Sequence, residues 1–202
     1  MTALPPLVAI LRGVLPDDVE AIGERLVDAG FGGIEVPLNS PEPFRSISLL
    51  ARRFGDHVLV GAGTVLTRDE VSLVNEAGGR LVVSPNMEPD VIRFAKTLGL
   101  VSLPGIFTPT EAFGALRAGA DGLKFFPASL HGPHGIKAIR AVLPSDTSIY
   151  AVGGADAANV GEWLEAGANG FGIGSAVFKP GWSADQVGKA ARTFAEAYRQ
   201  AA

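Results

Sequence analysis

Short apolar runs alternate with amphipathic stretches along the whole chain. The runs that read as strands are 7–13, 33–38, 58–65, 81–86, 101–106, 122–128, 148–154 and 170–175. Between them lie segments with apolar residues three and four positions apart, such as 16–29, which is the helical period. Pro16, followed by two aspartates, predicts the start of that helix, and Gly30 predicts its stop. The same ending recurs as Ala29-Gly30, Phe54-Gly55, Ala77-Gly78, Leu98-Gly99, Ala118-Gly119 and Ala166-Gly167. Neighbouring markers are roughly 20–25 residues apart, about one strand plus one helix. The double gap before Ala166 is filled by a helix expected to end near Leu143-Pro144. Eight strand–helix units in one chain predict a closed (β/α)8 barrel, the TIM barrel, as one domain over residues 1–202.

The competing fold is a doubly wound open sheet. Its usual marker, G-x-G-x-x-G after the first strand, is missing, since Gly61-Ala62-Gly63 and Gly172-Ile173-Gly174 both lack the third glycine. Nucleotide binding therefore has little support.

In a barrel the chemistry sits at the C-terminal ends of the strands, and alternate strand residues face inward. Four strands carry a polar residue at or near that end: Arg12, Glu35, Thr64 and Lys124. If Glu35 points inward, Ile34, Val36 and Leu38 point at the helices, and Lys124 with Leu123 and Phe125 follows the same alternation. A charge inside an apolar strand is costly unless paired or neutralised, and burial favours the free amine, which attacks carbonyl carbons. Each residue alone also has a structural reading: a loop arginine, an ordinary β-forming threonine, and a Glu35–Lys124 ion pair. Their convergence on one barrel mouth favours Schiff-base chemistry, with a nucleophilic amine and a carboxylate to shuttle protons.

Gly153-Gly154 and Gly174-Ser175 close the last two strands, where this fold commonly cradles phosphate on backbone N–H groups. Glycines at sharp turns are the alternative explanation.

Composition narrows the field further. The chain is 47% hydrophobic with a net charge of −4 and has no basic run, which argues against nucleic-acid and anionic-membrane partners. The absence of cysteine excludes disulfides and thiolate chemistry. His131 and His134 fall in a stretch, 130–135, that reads as a loop, and His57 precedes the third strand at the opposite end of the barrel. Without a carboxylate ligand beside them they make a poor metal site, so neither metal nor cofactor is expected. Trp163 and Trp182 read as helix packing or oligomer contacts. The opening Met1–Pro6 lacks the charged start and apolar stretch of a signal peptide, so a cytoplasmic protein is expected.

Six strings carry a resemblance over essentially the whole chain: Ala9-Ile10-Leu11-Arg12-Gly13, Ile34-Glu35-Val36, Gly61-Ala62-Gly63-Thr64-Val65, Ser84-Pro85-Asn86, Lys124-Phe125-Phe126-Pro127 and Gly153-Gly154. Together they resemble the 2-keto-3-deoxy-6-phosphogluconate/4-hydroxy-2-oxoglutarate aldolase family. Glu35-Val36-Pro37-Leu38-Asn39-Ser40-Pro41 and Ala151-Val152 resemble its galactonate branch, because the gluconate branch places threonine and arginine at Pro37 and Asn39 and threonine at Val152. The resemblance implies that Lys124 forms the Schiff base and Glu35 is the general acid/base. Arg12 and Thr64 would bind substrate, with Thr64 at the carboxylate end. Gly153, Gly154, Gly174 and Ser175 would hold the phosphate, and Val152, Pro37 and Asn39 would discriminate between C4 epimers. Pyruvate and glyceraldehyde 3-phosphate would be the products, and a homotrimer the assembly. The gluconate epimer as substrate, a phosphosugar epimerase and a non-catalytic phosphosugar-binding barrel remain the alternatives.

Overall fold

The computed structural model describes residues 4–202; Met1–Ala3, half of the opening read above for a leader, lie outside the described residues. The strands are β1 (Leu7–Ile10), β2 (Gly33–Pro37), β3 (Leu59–Gly63), β4 (Leu81–Val83), β5 (Val101–Leu103), β6 (Gly105–Ile106), β7 (Leu123–Phe125), β8 (Ile149–Val152) and β9 (Gly170–Ile173). All their pairings are parallel, in the order β5-β4-β3-β2-β1-β9-β8-β7-β6. The helices are α1 (Pro16–Ala29), α2 (Pro43–Phe54), α3 (Arg68–Glu76), α4 (Pro89–Thr97), α5 (Pro109–Ala118), α6 (Gly132–Arg140), α7 (Val160–Glu165) and α8 (Ala184–Ala201). This is the expected barrel, with one refinement.

The segment 101–106, read as one strand, is two. Pro104 has no N–H, so it interrupts the ladder. Val101–Leu103 pairs with β4, and Gly105–Ile106 pairs with β7. The carbonyls of Ser102 and Pro104 already accept from Asp121 and Lys124, at 3.0 and 2.9 Å. The two ends of the sheet are therefore the two halves of one continuous segment, and the ring closes through it.

Strand residues alternate between two apolar layers. Inside the barrel, Val8, Leu81, Val83, Leu103, Tyr150 and Val152 form one buried cluster. Outside it, Ala9, Ile34, Val36, Val60, Ala62, Leu123, Phe125, Phe171 and Ile173 belong to the larger core shared with the helices. The inward side chains of β2 and β7 in that alternation are Glu35 and Lys124.

Local signals set the helix ends. Pro16, Pro43, Pro89 and Pro109 open α1, α2, α4 and α5, where the missing N–H costs no hydrogen bond. Thr67 with Glu70, Thr108 with Glu111 and Ser183 with Gln186 form reciprocal capping boxes on α3, α5 and α8. Gly30 ends α1 in the left-handed region at φ 99°, as the sequence predicts. Gly55 differs: it stays right-handed at φ −59°.

Two further expectations need correction. Residues 130–135 are not a loop, because α6 begins at Gly132 and includes Pro133 and His134 in its first turn. That helix also ends at Arg140 rather than near Leu143-Pro144. No described helix is long and apolar enough to cross a membrane.

Candidate active site

β2 and β7 bring the two buried charges of the barrel interior to one place. Glu35 is 2% exposed and Lys124 6%. Both line a small cavity of about 20 Å³ whose other walls are Val8, Ile10, Val83, Leu103, Tyr150, Val152 and Gly172. Apart from these two groups and the Tyr150 hydroxyl the walls offer hydrocarbon and backbone, and that hydroxyl is turned away to donate to the Pro5 carbonyl at 2.9 Å.

Burial dominates the electrostatics. It pushes the Glu35 carboxyl up to about 7, although Lys124 and Arg12 pull it the other way. It also pushes the Lys124 ammonium below its usual value, with Glu35 opposing and Arg12 assisting. The Lys124 ammonium lies over the Phe126 ring, 4.7 Å from its centre. Among the described residues Glu35 makes no salt bridge, and its buried Oε2 atom has no hydrogen-bond partner. A buried polar atom left unpaired costs stability, and this one is open to a partner that enters the cavity. The simple ion pair allowed by the sequence is thus not what the structure contains.

Gly63 explains how the carboxyl fits. A Cβ at Gly63 would overlap the Glu35 carboxylate, so β3 must be bare at the position facing it. The next residue, Thr64, has φ 59°, a left-handed conformation uncommon for a non-glycine residue and rarer still for a β-branched one. That turn is pinned from both sides. The buried Ser84 hydroxyl donates to the Val65 carbonyl at 2.7 Å, and the Glu70 carboxylate accepts from the N–H groups of Leu66 and Thr67.

Above the small cavity opens a larger one of about 480 Å³. Ile10, Val152 and Gly172 line both, so the two are adjoining compartments of one site. Arg12, Asn39, Gly153, Gly154, Gly174 and Ser175 line the outer compartment. Arg12 donates to Asn39 Oδ1 at 2.5 Å, and the Gly13 N–H donates to the Ser40 hydroxyl at 2.9 Å, tying the turn after β1 to the turn after β2. Gly153 and Gly154 have φ of 87° and 102°, which turns the chain back across the mouth. Among the described residues the N–H groups of Gly154, Ala155, Ser175 and Ala176 have no backbone acceptor, which leaves donors for an anion.

Of the residues singled out from sequence, Thr64 and Pro37 line neither compartment. Pro37 is the buried last residue of β2, in register with Gly63. His131 stacks on Phe107 at 4.2 Å on the outside of the barrel, and Trp163 is buried in α7 with its indole N–H donating to Asn159. Among the described residues no three His, Asp or Glu side chains gather as metal ligands. Tyr150, a tyrosine in an apolar strand, carries no distinctive sequence signal. Ser84 and Gly63 stand in strings that carry the resemblance, but nothing in the sequence gives either a role of its own.

The family model for KDPG and KHG aldolase matches residues 2–191. The chain belongs to the KDPG and KHG aldolase family. It is 53% identical over 193 residues, 96% of this chain and 91% of the relative, to a probable 2-dehydro-3-deoxy-6-phosphogalactonate aldolase of Rhizobium meliloti. The 2-dehydro-3-deoxy-6-phosphogalactonate aldolase of Escherichia coli is 46% identical, with 97% and 96% covered. A 2-dehydro-3-deoxy-phosphogluconate aldolase of Haemophilus influenzae is 31% identical over 73% of this chain and 69% of its own. A solved structure described as native KDPGal superposes with a TM-score of 0.96 at 46% identity, covering 100% of this chain and 97% of that one.

Proposed function

We propose that the protein is a class I aldolase that cleaves 2-dehydro-3-deoxy-6-phosphogalactonate to pyruvate and glyceraldehyde 3-phosphate. The observation that carries this reading is the pairing of a buried, ammonium-disfavouring lysine with a buried, partly protonated carboxyl in one apolar cavity.

Lys124, as the free amine, attacks the C2 ketone, and loss of water leaves a protonated imine. Glu35 accepts the proton of the C4 hydroxyl as the C3–C4 bond breaks. The bonding pair moves into the imine to give an enamine, and the aldehyde departs. Protonation of the enamine at C3 and hydrolysis of the imine release pyruvate and return the amine. Burial favours the free amine of Lys124 that the attack needs, and a Glu35 value near 7 leaves part of that carboxyl ionised, as the proton-accepting step needs.

The remaining roles are those the resemblance implies. Thr64, in the turn after β3, serves the carboxylate end of the substrate, and Arg12 binds substrate from the outer compartment. Gly153, Gly154, Gly174 and Ser175 hold the phosphate on N–H groups and a hydroxyl. Val152 stands where the two compartments meet and offers no hydrogen bond to a C4 hydroxyl, while Asn39 orients Arg12 and Pro37 fixes the end of β2. The relatives' names point to the same epimer. The assembly carried with this reading is a homotrimer of cytoplasmic, metal-independent single-domain chains.

Steady-state pyruvate release from both C4 epimers, with and without chelator, tests the reading. A higher kcat/KM on the galactonate epimer, indifferent to chelator, is expected. A preference for the gluconate epimer would overturn the role given to Val152, and proton exchange without carbon–carbon cleavage would point to an epimerase.

A further inference from the structure

The outer compartment carries a cation that the catalytic steps do not use. Lys179 lines it together with Arg12, and these are the two charged residues among its lining; no carboxylate is among them. The segment between Ser175 and Lys179 is a single helical turn, since the N–H groups of Val177 and Phe178 both return to the Gly174 carbonyl at 3.0 Å. Lys179 follows that turn directly, and both it and Ser175 line the compartment. Its ammonium rests over the Trp182 ring, 5.2 Å from the centre, and the Trp182 N–H donates to the Lys179 carbonyl at 3.0 Å. Pro180 then packs on the turn after β1, where a Cβ on Gly13 would stand 3.0 Å from its Cγ. The loop that carries Lys179 thus abuts the turn that carries Arg12, and both cations frame one opening.

We propose that Lys179 is a specificity-determining residue that recruits and fixes the phosphate end of the substrate. This rests on the aldolase reading above. A chain of net charge −4 repels a multiply anionic sugar acid at long range, and a rim cation reverses that locally. The backbone N–H groups near Gly154 and Ser175 are neutral donors, so Lys179 supplies the full charge that a phosphate dianion calls for and that a hydroxyl does not.

The test is steady-state cleavage of the phosphorylated substrate and of its unphosphorylated counterpart by the wild type, Lys179→Met and Lys179→Arg, at low and high salt. Loss of one charge-assisted contact at an exposed rim raises KM for the phosphorylated substrate about tenfold in Lys179→Met, with kcat little changed. The same variant has a flatter dependence of KM on salt, leaves the unphosphorylated substrate unaffected, and Lys179→Arg recovers most of the loss. An unchanged KM in Lys179→Met, or equal losses on both substrates, overturns the proposal while leaving the aldolase reading intact. A wild-type enzyme that releases pyruvate from neither substrate overturns both.

Discussion

At the residue scale, Glu35 couples chemistry to stability. In the folded chain it keeps its proton up to about pH 7, whereas its ordinary value is 4.5. Between those values the folded state binds more protons than the unfolded one, so this group's contribution is full below pH 4.5 and is lost as pH rises through 7. A shift of that size amounts to about 3 kcal/mol across the window. Lys124 has the opposite sign, because a lowered ammonium value makes stability rise with pH toward 10.5. Denaturant unfolding between pH 4.5 and 7.5 is expected to show a weaker fall, or a steeper rise, of stability with pH in Glu35→Gln than in the wild type. Identical pH slopes would contradict the buried, proton-holding state of Glu35. In the same variant the limb of kcat/KM that rises through pH 7 disappears, since the base that must be ionised is gone.

At the element scale, the ends of β3 and β4 form one device. Gly63 clears space for the Glu35 carboxyl, Thr64 takes a left-handed turn, and Ser84 holds the Val65 carbonyl behind it. Removing the hydroxyl leaves a carbonyl unpaired in the interior, so Ser84→Ala is expected to cost about 1–3 kcal/mol in urea unfolding. It is also expected to raise KM for the keto acid, through Thr64, while Ser84→Thr restores both. A destabilised Ser84→Ala enzyme with unchanged KM would mean that the turn is structural only. The sequence makes part of this device legible. Period-two alternation places Glu35 and Lys124 inward, because Ile34, Val36, Leu123 and Phe125 must face helices. The left-handed turn at Thr64 is not legible, since threonine reads as a β-former, and only the contact with Glu35 explains why residue 63 lacks a side chain. The start of α6 is hidden for a similar reason: Gly132-Pro133-His134-Gly135 has turn composition, yet proline is well tolerated in a first helical turn.

At the scale of the whole molecule, the barrel separates two environments along one axis. Its lower interior is hydrocarbon closed by Tyr150, whose hydroxyl is satisfied by Pro5, and it sets the desolvation felt by Lys124 and Glu35. Its mouth is lined by donors and two cations, and it suits the charged ends of a phosphosugar acid. Strand periodicity and the glycine-ended helices reveal the eight strand–helix units. The break at Pro104, where the ring closes, follows from a missing N–H whose consequence shows only once both neighbouring strands are in place. The central claim is that Lys124 forms the covalent intermediate, and it is tested most directly by reducing the protein with borohydride in the presence of pyruvate and mapping the product by peptide mass spectrometry. A reduced three-carbon adduct on Lys124, absent without pyruvate and absent in Lys124→Ala, is the expected result. An unmodified Lys124 peptide in an enzyme that cleaves its substrate would contradict it.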